Sequence, residues 1–260
     1  MSQPKLDVDT DYHLEHFVSG PLLPDLEYLY RRISDATVAT IAERPPGRVL
    51  DVGSGASTEM ARLAQLGWET YAVDPSAHML GVSRLTEEQT AAPVQLVRAI
   101  GEQLPFEDNS LDAVACQAAL DHFSDRHAFM AETARIIKPD GRVIISLNNF
   151  EGLACRMGRL LHPVARASRV HHCADWPCWD IPADHTFKGD WQVVQALGGS
   201  RLVLERAYGV SLLTMFYGWG HLLSRLPKRL RSRLLLIADA VAHGRPAQSD
   251  VIFSIWRRAS

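Results

Sequence analysis

The residues best suited to chemistry form one short run, Asp51-Val52-Gly53-Ser54-Gly55-Ala56-Ser57-Thr58. An apolar, strand-like segment (RVLDV) leads into it and a helical stretch follows. Gly53 and Gly55 have no Cβ, so the backbone can turn tightly there and let a ligand approach. A second carboxylate, Asp74, ends the next apolar segment about twenty residues on, the spacing at which an acid accepts both hydroxyls of a ribose. Pro75 follows it, and no nearby Arg offers itself to a 2′-phosphate. A dinucleotide fingerprint, G-x-G-x-x-G, needs a third glycine where this chain has Thr58, which disfavours a dehydrogenase. A P-loop needs Gly-Lys-Ser/Thr, and none follows. An acid, two glycines and a second acid suit a cationic ligand carrying a ribose better than a pyrophosphate.

Other chemistry-bearing residues are scattered. Asp121 and His122 follow a later apolar segment, and His185 stands beside Asp184. Either His122 or His185 is a candidate general base for an acceptor that loses a proton; the plainer reading is that each packs against its neighbours. Tyr12 and His16, with His13 and Phe17, are candidates to close over a pocket. His171, Cys173, Cys178 and His185 invite a zinc reading, although C-x4-C sits at the edge of the spacing that structural zinc sites favour. Trp176 and Trp179 are interleaved with them and read equally as an aromatic wall for an acceptor. No metal is assigned. Cys116 is expected in the core, and four cysteines in a chain of this length point to reduced thiols.

These residues need a scaffold, and the sequence supplies an alternating one. A helix is expected from Asp25, with Leu26, Leu29, Tyr30, Ile33, Val38 and Ile41 near helical spacing, ended by Pro45-Pro46-Gly47. Strands are expected over residues 48–52, 70–73, 94–100, 112–117, 142–147, 202–208 and 251–256. Helices are expected over 59–65, 76–85, 126–137 and 189–197. Gly67 is placed to close the first of these and Ser76 to cap the second. Lys138-Pro139-Asp140-Gly141 is expected to stop the third. Strand and helix alternating at this pitch imply an α/β fold with a mostly parallel sheet and helices on both faces. The last two strands are expected as a closing pair at one sheet edge. The alternation divides the chain into an N-terminal helical cap (1–46), a core (47–149), an insertion or lid without clear period (150–200), and C-terminal strands with an intervening helical segment (201–260).

Composition bounds the rest. The chain has 260 residues, 47% of them hydrophobic, and a formal charge of -3, so it can bury a core and has no global attraction for nucleic acid. The first residues are acidic and lack an apolar signal region, so a cytoplasmic location is expected. Residues 207–224 carry no charge with His221 neutral, and read as buried strand and helix rather than a membrane span. Arg225, Lys228, Arg229, Arg231 and Arg233 lie among leucines, with Pro227 interrupting. They form either a solvated helix face or a cationic amphipathic surface for an anionic membrane.

In this context LDVGSGAST resembles the first motif of class I S-adenosylmethionine-dependent methyltransferases. VDPSAHML resembles their second-strand acid motif, GEQLPFEDNSLDAV the segment joining strands three and four, and ARIIKPDGRVIIS the helix and fifth strand. The resemblance covers roughly residues 47–149, in order. It implies a Rossmann-like, seven-stranded sheet and S-adenosyl-L-methionine as cofactor. It implies that Asp51 supports the turn and reaches the methionine amino end, and that Gly53, Ser54 and Gly55 line the cofactor. Asp74 would hold the ribose, Pro75 would pack near adenine, Gly101 and Glu102 would form the adenine segment, and Gln117 would lie near the methionine moiety. Ile100 departs from the family, which often has an Asp there for the adenine amino group.

Methyl transfer from a sulfonium has a neutral leaving group and depends largely on alignment, so no strong catalytic signature is required. The leading expectation is a methyltransferase acting on a small molecule, with the 150–200 segment as acceptor lid. Two alternatives are a methyltransferase of lipids or quinones at a membrane surface, and a cofactor-binding protein without turnover.

Overall fold

The computed structural model describes residues 22–167, 181, 185–199, 201–214, 216 and 218–259. Helix α1, Pro24–Ala42, begins with a proline in its first turn, where a missing N–H costs nothing, and with Asp25 and Glu27 near its positive end. Strand β1, Arg48–Val52, is buried along nearly all its length, as a central parallel strand should be. It leads into α2, Thr58–Gln65. That helix ends in a Schellman arrangement: Gly67 N–H donates to Ala64 O and Trp68 N–H to Leu63 O, with Gly67 at φ +89°. Then come β2 (Glu69–Val73), α3 (Ala77–Thr90), β3 (Gln95–Val97), β4 (Leu111–Gln117), α4 (Arg126–Ile136) and β5 (Ile137–Asn148). Ser76 Oγ caps α3 by accepting from Met79 N–H at 3.2 Å. The remainder is α5 (Leu153–Ala167), α6 (Trp191–Ala196), β6 (Leu202–Val210), α7 (Trp219–Ser224), α8 (Lys228–His243) and β7 (Val251–Arg258).

The seven strands form one sheet in the order β3-β2-β1-β4-β5-β7-β6. β7 runs antiparallel to both β5 and β6, and the other pairings are parallel. One face is covered by Phe129, Met130 and Ile136 of α4 with Val194 of α6, packed on Leu50, Val114 and Ile145. The opposite face takes Leu29, Ile33 and Ile41 of α1 and Met60 and Leu63 of α2, packed on Val49, Ala113 and Phe253. The strand order reverses between β1 and β4, which places a crevice at their carboxyl ends.

The expected elements are present, with three differences. The third strand is shorter than expected, because Ile100 turns back to bridge Gln103. Lys138-Pro139-Asp140-Gly141 does not form a separate turn. Ile137 already pairs with Leu111, and the four residues ride as an irregularity within β5, where Lys138 Nζ contacts the Asp112 carboxylate at 2.7 Å. Finally, the segment read as lacking a period contains α5. As expected, Pro227 separates α7 from α8. Among the described residues no helix is long and apolar enough to cross a membrane.

Candidate active site

The register Val52↔Val73 sets Gly53 beside the end of β2. Gly53 N–H donates to Val73 O at 2.8 Å and Ser54 N–H to the same oxygen at 3.1 Å. Gly53 lies at φ +71°, and a Cβ there would stand 2.5 Å from the Cβ of Ala119, so only glycine fits. Gly55 is also left-handed, and its carbonyl accepts from Ser83 Oγ of α3 at 2.6 Å. Ser57 holds a left-handed φ of 51° and shares a 2.9 Å hydrogen bond with Ser83. The turn is thus pinned to β2, α3 and the loop after β4.

Two carboxylates flank it. Asp74 Oδ2 accepts from Gly55 N–H at 3.3 Å and its Oδ1 from Ser76 N–H at 2.9 Å, so the side chain is aimed by backbone on both sides. Asp51 is 2% exposed. Burial, then the negative Glu59 and Asp74, push its pKa well above the ordinary carboxylate range. Asp51 Oδ1, Ser54 Oγ and Gln117 Oε1 are buried acceptors with no hydrogen-bond partner among the described residues. Gln117 Nε2 donates to Ile144 O at 3.3 Å, which fixes the amide at the end of β4. Unmatched acceptors beside a carboxylate fit a ligand that brings donors and positive charge.

Further along the crevice, Pro75 is half-buried and Gly101 buried. Glu102 Oε1 accepts from Asp125 N–H at 3.1 Å, tying the loop after β3 to the start of α4. Sequence reasoning missed Phe123. Its ring lies 2.6 Å from where a Cβ on Gly101 would be and 3.7 Å from one on Gly53, so a single aromatic side chain spans both backbone segments. The only sequence signal was its place just after Asp121-His122.

The structure brings together His122 and His185. Their ring centroids are 4.6 Å apart, edge to face. An acid beside His185 is Asp121: Asp121 Oδ2 stands 3.3 Å from His185 Nδ1, and Asp121 is fully buried. Asn148 Nδ2 donates to that same oxygen at 3.3 Å. Thr186 N–H and Oγ1 both donate to Asp121 O, at 2.8 and 3.1 Å, which holds the 185–186 segment against the turn after β4. Cys116 is fully buried, as expected for a core thiol, and burial raises its pKa. Tyr12, His16, His171, Cys173, Cys178, Trp176, Trp179 and Asp184 lie outside the described residues.

A sheet ordered 3-2-1-4-5-7-6, with a glycine turn after β1 and an acid after β2, defines the class I methyltransferase architecture. Residues 50–145 match the family described as a methyltransferase domain. The chain is 34% identical over 109 residues to the uncharacterized methyltransferase YcgJ of Bacillus subtilis, covering 42% of this chain and 43% of that one. It is 32% identical over 103 residues to a ubiquinone biosynthesis O-methyltransferase of Xanthomonas oryzae, covering 39% and 43%. The chain therefore spans less than half the length of these relatives in each match. The crystal structure of YcgJ superposes with a TM-score of 0.56 at 18% identity, covering 88% of this chain and 98% of that one. Geranyl diphosphate methyltransferase in complex with S-adenosylmethionine superposes with a TM-score of 0.57 at 16% identity, covering 98% and 94%. Residues 50–145 thus match a methyltransferase domain, and the chain shares the fold of solved methyltransferase structures.

Proposed function

We propose that this chain transfers a methyl group from S-adenosyl-L-methionine to a small-molecule acceptor. The observation that carries this is the buried Asp51 carboxyl, whose Oδ1 has no hydrogen-bond partner among the described residues, beside the aimed Asp74 carboxylate. When bound, the cofactor supplies an electrophilic methyl on a sulfonium whose departure leaves a neutral thioether. Asp51, Gln117 and Ser54 would receive the ammonium end, and Asp74 the ribose hydroxyls. Gly53 and Gly55 would let the ligand lie against the backbone. Pro75, Gly101 and the Phe123 ring would flank adenine, which has no acid at Ile100 to meet its amino group.

The acceptor would enter beside Asp121, His122 and His185, at the carboxyl end of β4. The 150–200 segment, with α5 at its start and Trp176 and Trp179 further on, would serve as its lid. The chain's contribution to rate is alignment of nucleophile and methyl, together with water exclusion. Incubation with methyl-labelled S-adenosylmethionine and a panel of hydroxyl-, amine- and thiol-bearing small molecules tests the reading. Label in an acceptor is expected. Tight cofactor binding with no transfer to any acceptor would instead favour a binding protein without turnover.

One observation favours a lipid or quinone acceptor as a second reading. Helix α8 buries Leu235, Asp239 and Ala242 but exposes Leu230, Leu236, Ile237 and Val241 beside Arg229 and Arg233. That face suits an anionic membrane surface. A relative matched over part of its length acts in ubiquinone biosynthesis, as its name states. Co-sedimentation with anionic vesicles would support this version, and its absence would remove it.

A further inference from the structure

We propose that Asp121, His122 and His185 form a binding site for a transition-metal dication, of the kind that takes imidazole and carboxylate ligands. The three side chains each offer one ligand atom, all within 4.8 Å of one another. Two of them already stand at ligand spacing. In a tetrahedral site with bonds of 2.0–2.1 Å, ligand atoms lie about 3.4 Å apart. Asp121 Oδ2 and His185 Nδ1 are 3.3 Å apart. His122 is the exposed member, and its ligand atom lies within 4.8 Å of the other two.

A second observation points the same way. Asp121 is fully buried, and its Oδ1 has no hydrogen-bond partner among the described residues. A buried carboxylate favours a paired cation. The groups around it are arranged as support for ligands: Asn148 donates to Oδ2, and Thr186 fastens the backbone of the His185 segment to that of Asp121. Metal ligands are commonly held in orientation by such outer contacts.

Two imidazoles and one carboxylate select a first-row transition metal over magnesium or calcium, which prefer oxygen alone. Three protein ligands leave a position open, as in catalytic rather than structural sites. On the methyl-transfer reading, that position faces the acceptor, whose oxygen would take it. The two histidines, expected from sequence as bases, then act as ligands. Metal binding itself does not depend on that reading.

The test is titration of the chelator-stripped full chain with Co2+, followed by visible absorption, and with Zn2+ by calorimetry. One equivalent of saturable binding is expected. His122→Ala, at an exposed side chain, should weaken it at least tenfold, and His185→Gln should abolish it. Affinity for S-adenosylhomocysteine should stay unchanged in His122→Ala, which separates this site from the cofactor site. A Cys173→Ser/Cys178→Ser double variant should bind Co2+ as the wild type does. The proposal is overturned by absence of saturable binding, by binding insensitive to both histidine variants, or by a thiolate-to-cobalt charge-transfer band that the cysteine variant removes.

Discussion

Asp74 accepts a hydrogen bond from the backbone N–H of Gly55 at 3.3 Å, joining the end of β2 to the turn that follows β1. The acid therefore shapes the turn, and under the proposed function it also receives the ribose. The turn's geometry is as demanding as its chemistry.

Gly53→Ala would place a methyl 2.5 Å from Ala119 Cβ at a left-handed φ. A loss of roughly 1–3 kcal/mol in stability is expected, together with loss of cofactor binding. Gly81, in the exposed middle of α3, has nothing within 4 Å of an added Cβ. Gly81→Ala should raise stability by about 1 kcal/mol. Urea denaturation of both variants checks the opposite signs.

Asp51 should couple cofactor affinity to pH. Its pKa in the ligand-free chain is raised, so below that value a cationic ligand must displace a proton. Affinity for S-adenosylmethionine should climb as pH rises toward that pKa. In Asp51→Asn this component should vanish, and binding at high pH should weaken by about 1.5–3 kcal/mol. Calorimetry across pH 5–8 on both proteins reads the difference; parallel curves would separate Asp51 from the ligand.

Asp250 predicts a stability slope. It is fully buried, and burial raises its pKa from 3.8 to about 7, despite the 2.7 Å hydrogen bond it accepts from Thr214 N–H. Between those values the folded chain holds a proton that the unfolded chain has released. The stabilising contribution is full below about pH 4 and is lost as pH rises to about 7, a change on the order of a few kcal/mol. Asp250→Asn keeps an oxygen for Thr214 and should flatten the slope. Melting temperatures from pH 4 to 8 would show it.

The periodic part of the fold was legible in the sequence because its signals are local. Val49, Leu50 and Val52 announce a buried parallel strand, Gly67 a helix end, and Ser76 a cap. A closing strand pair at one edge was readable from the late apolar strands, but not its antiparallel sense. Helix α5 was missed because its residues are interleaved with histidine, proline and arginine. Partners distant in sequence were also invisible. Nothing in the spacing paired His185 with Asp121, because that contact depends on how Thr186 docks on the turn after β4. Phe123 escaped notice for the same reason, since its value lies in touching Gly53 and Gly101 at once.

The central claim is that the glycine turn and Asp74 cradle S-adenosylmethionine. Calorimetric titration of the wild type and Asp74→Ala with S-adenosylhomocysteine tests it most directly. One equivalent of binding is expected in the wild type, with a loss of roughly ten- to hundredfold in the variant, corresponding to about 1.5–3 kcal/mol for a hydrogen-bonded carboxylate. Equal affinity in the two proteins, or no binding by the wild type, would contradict the assignment.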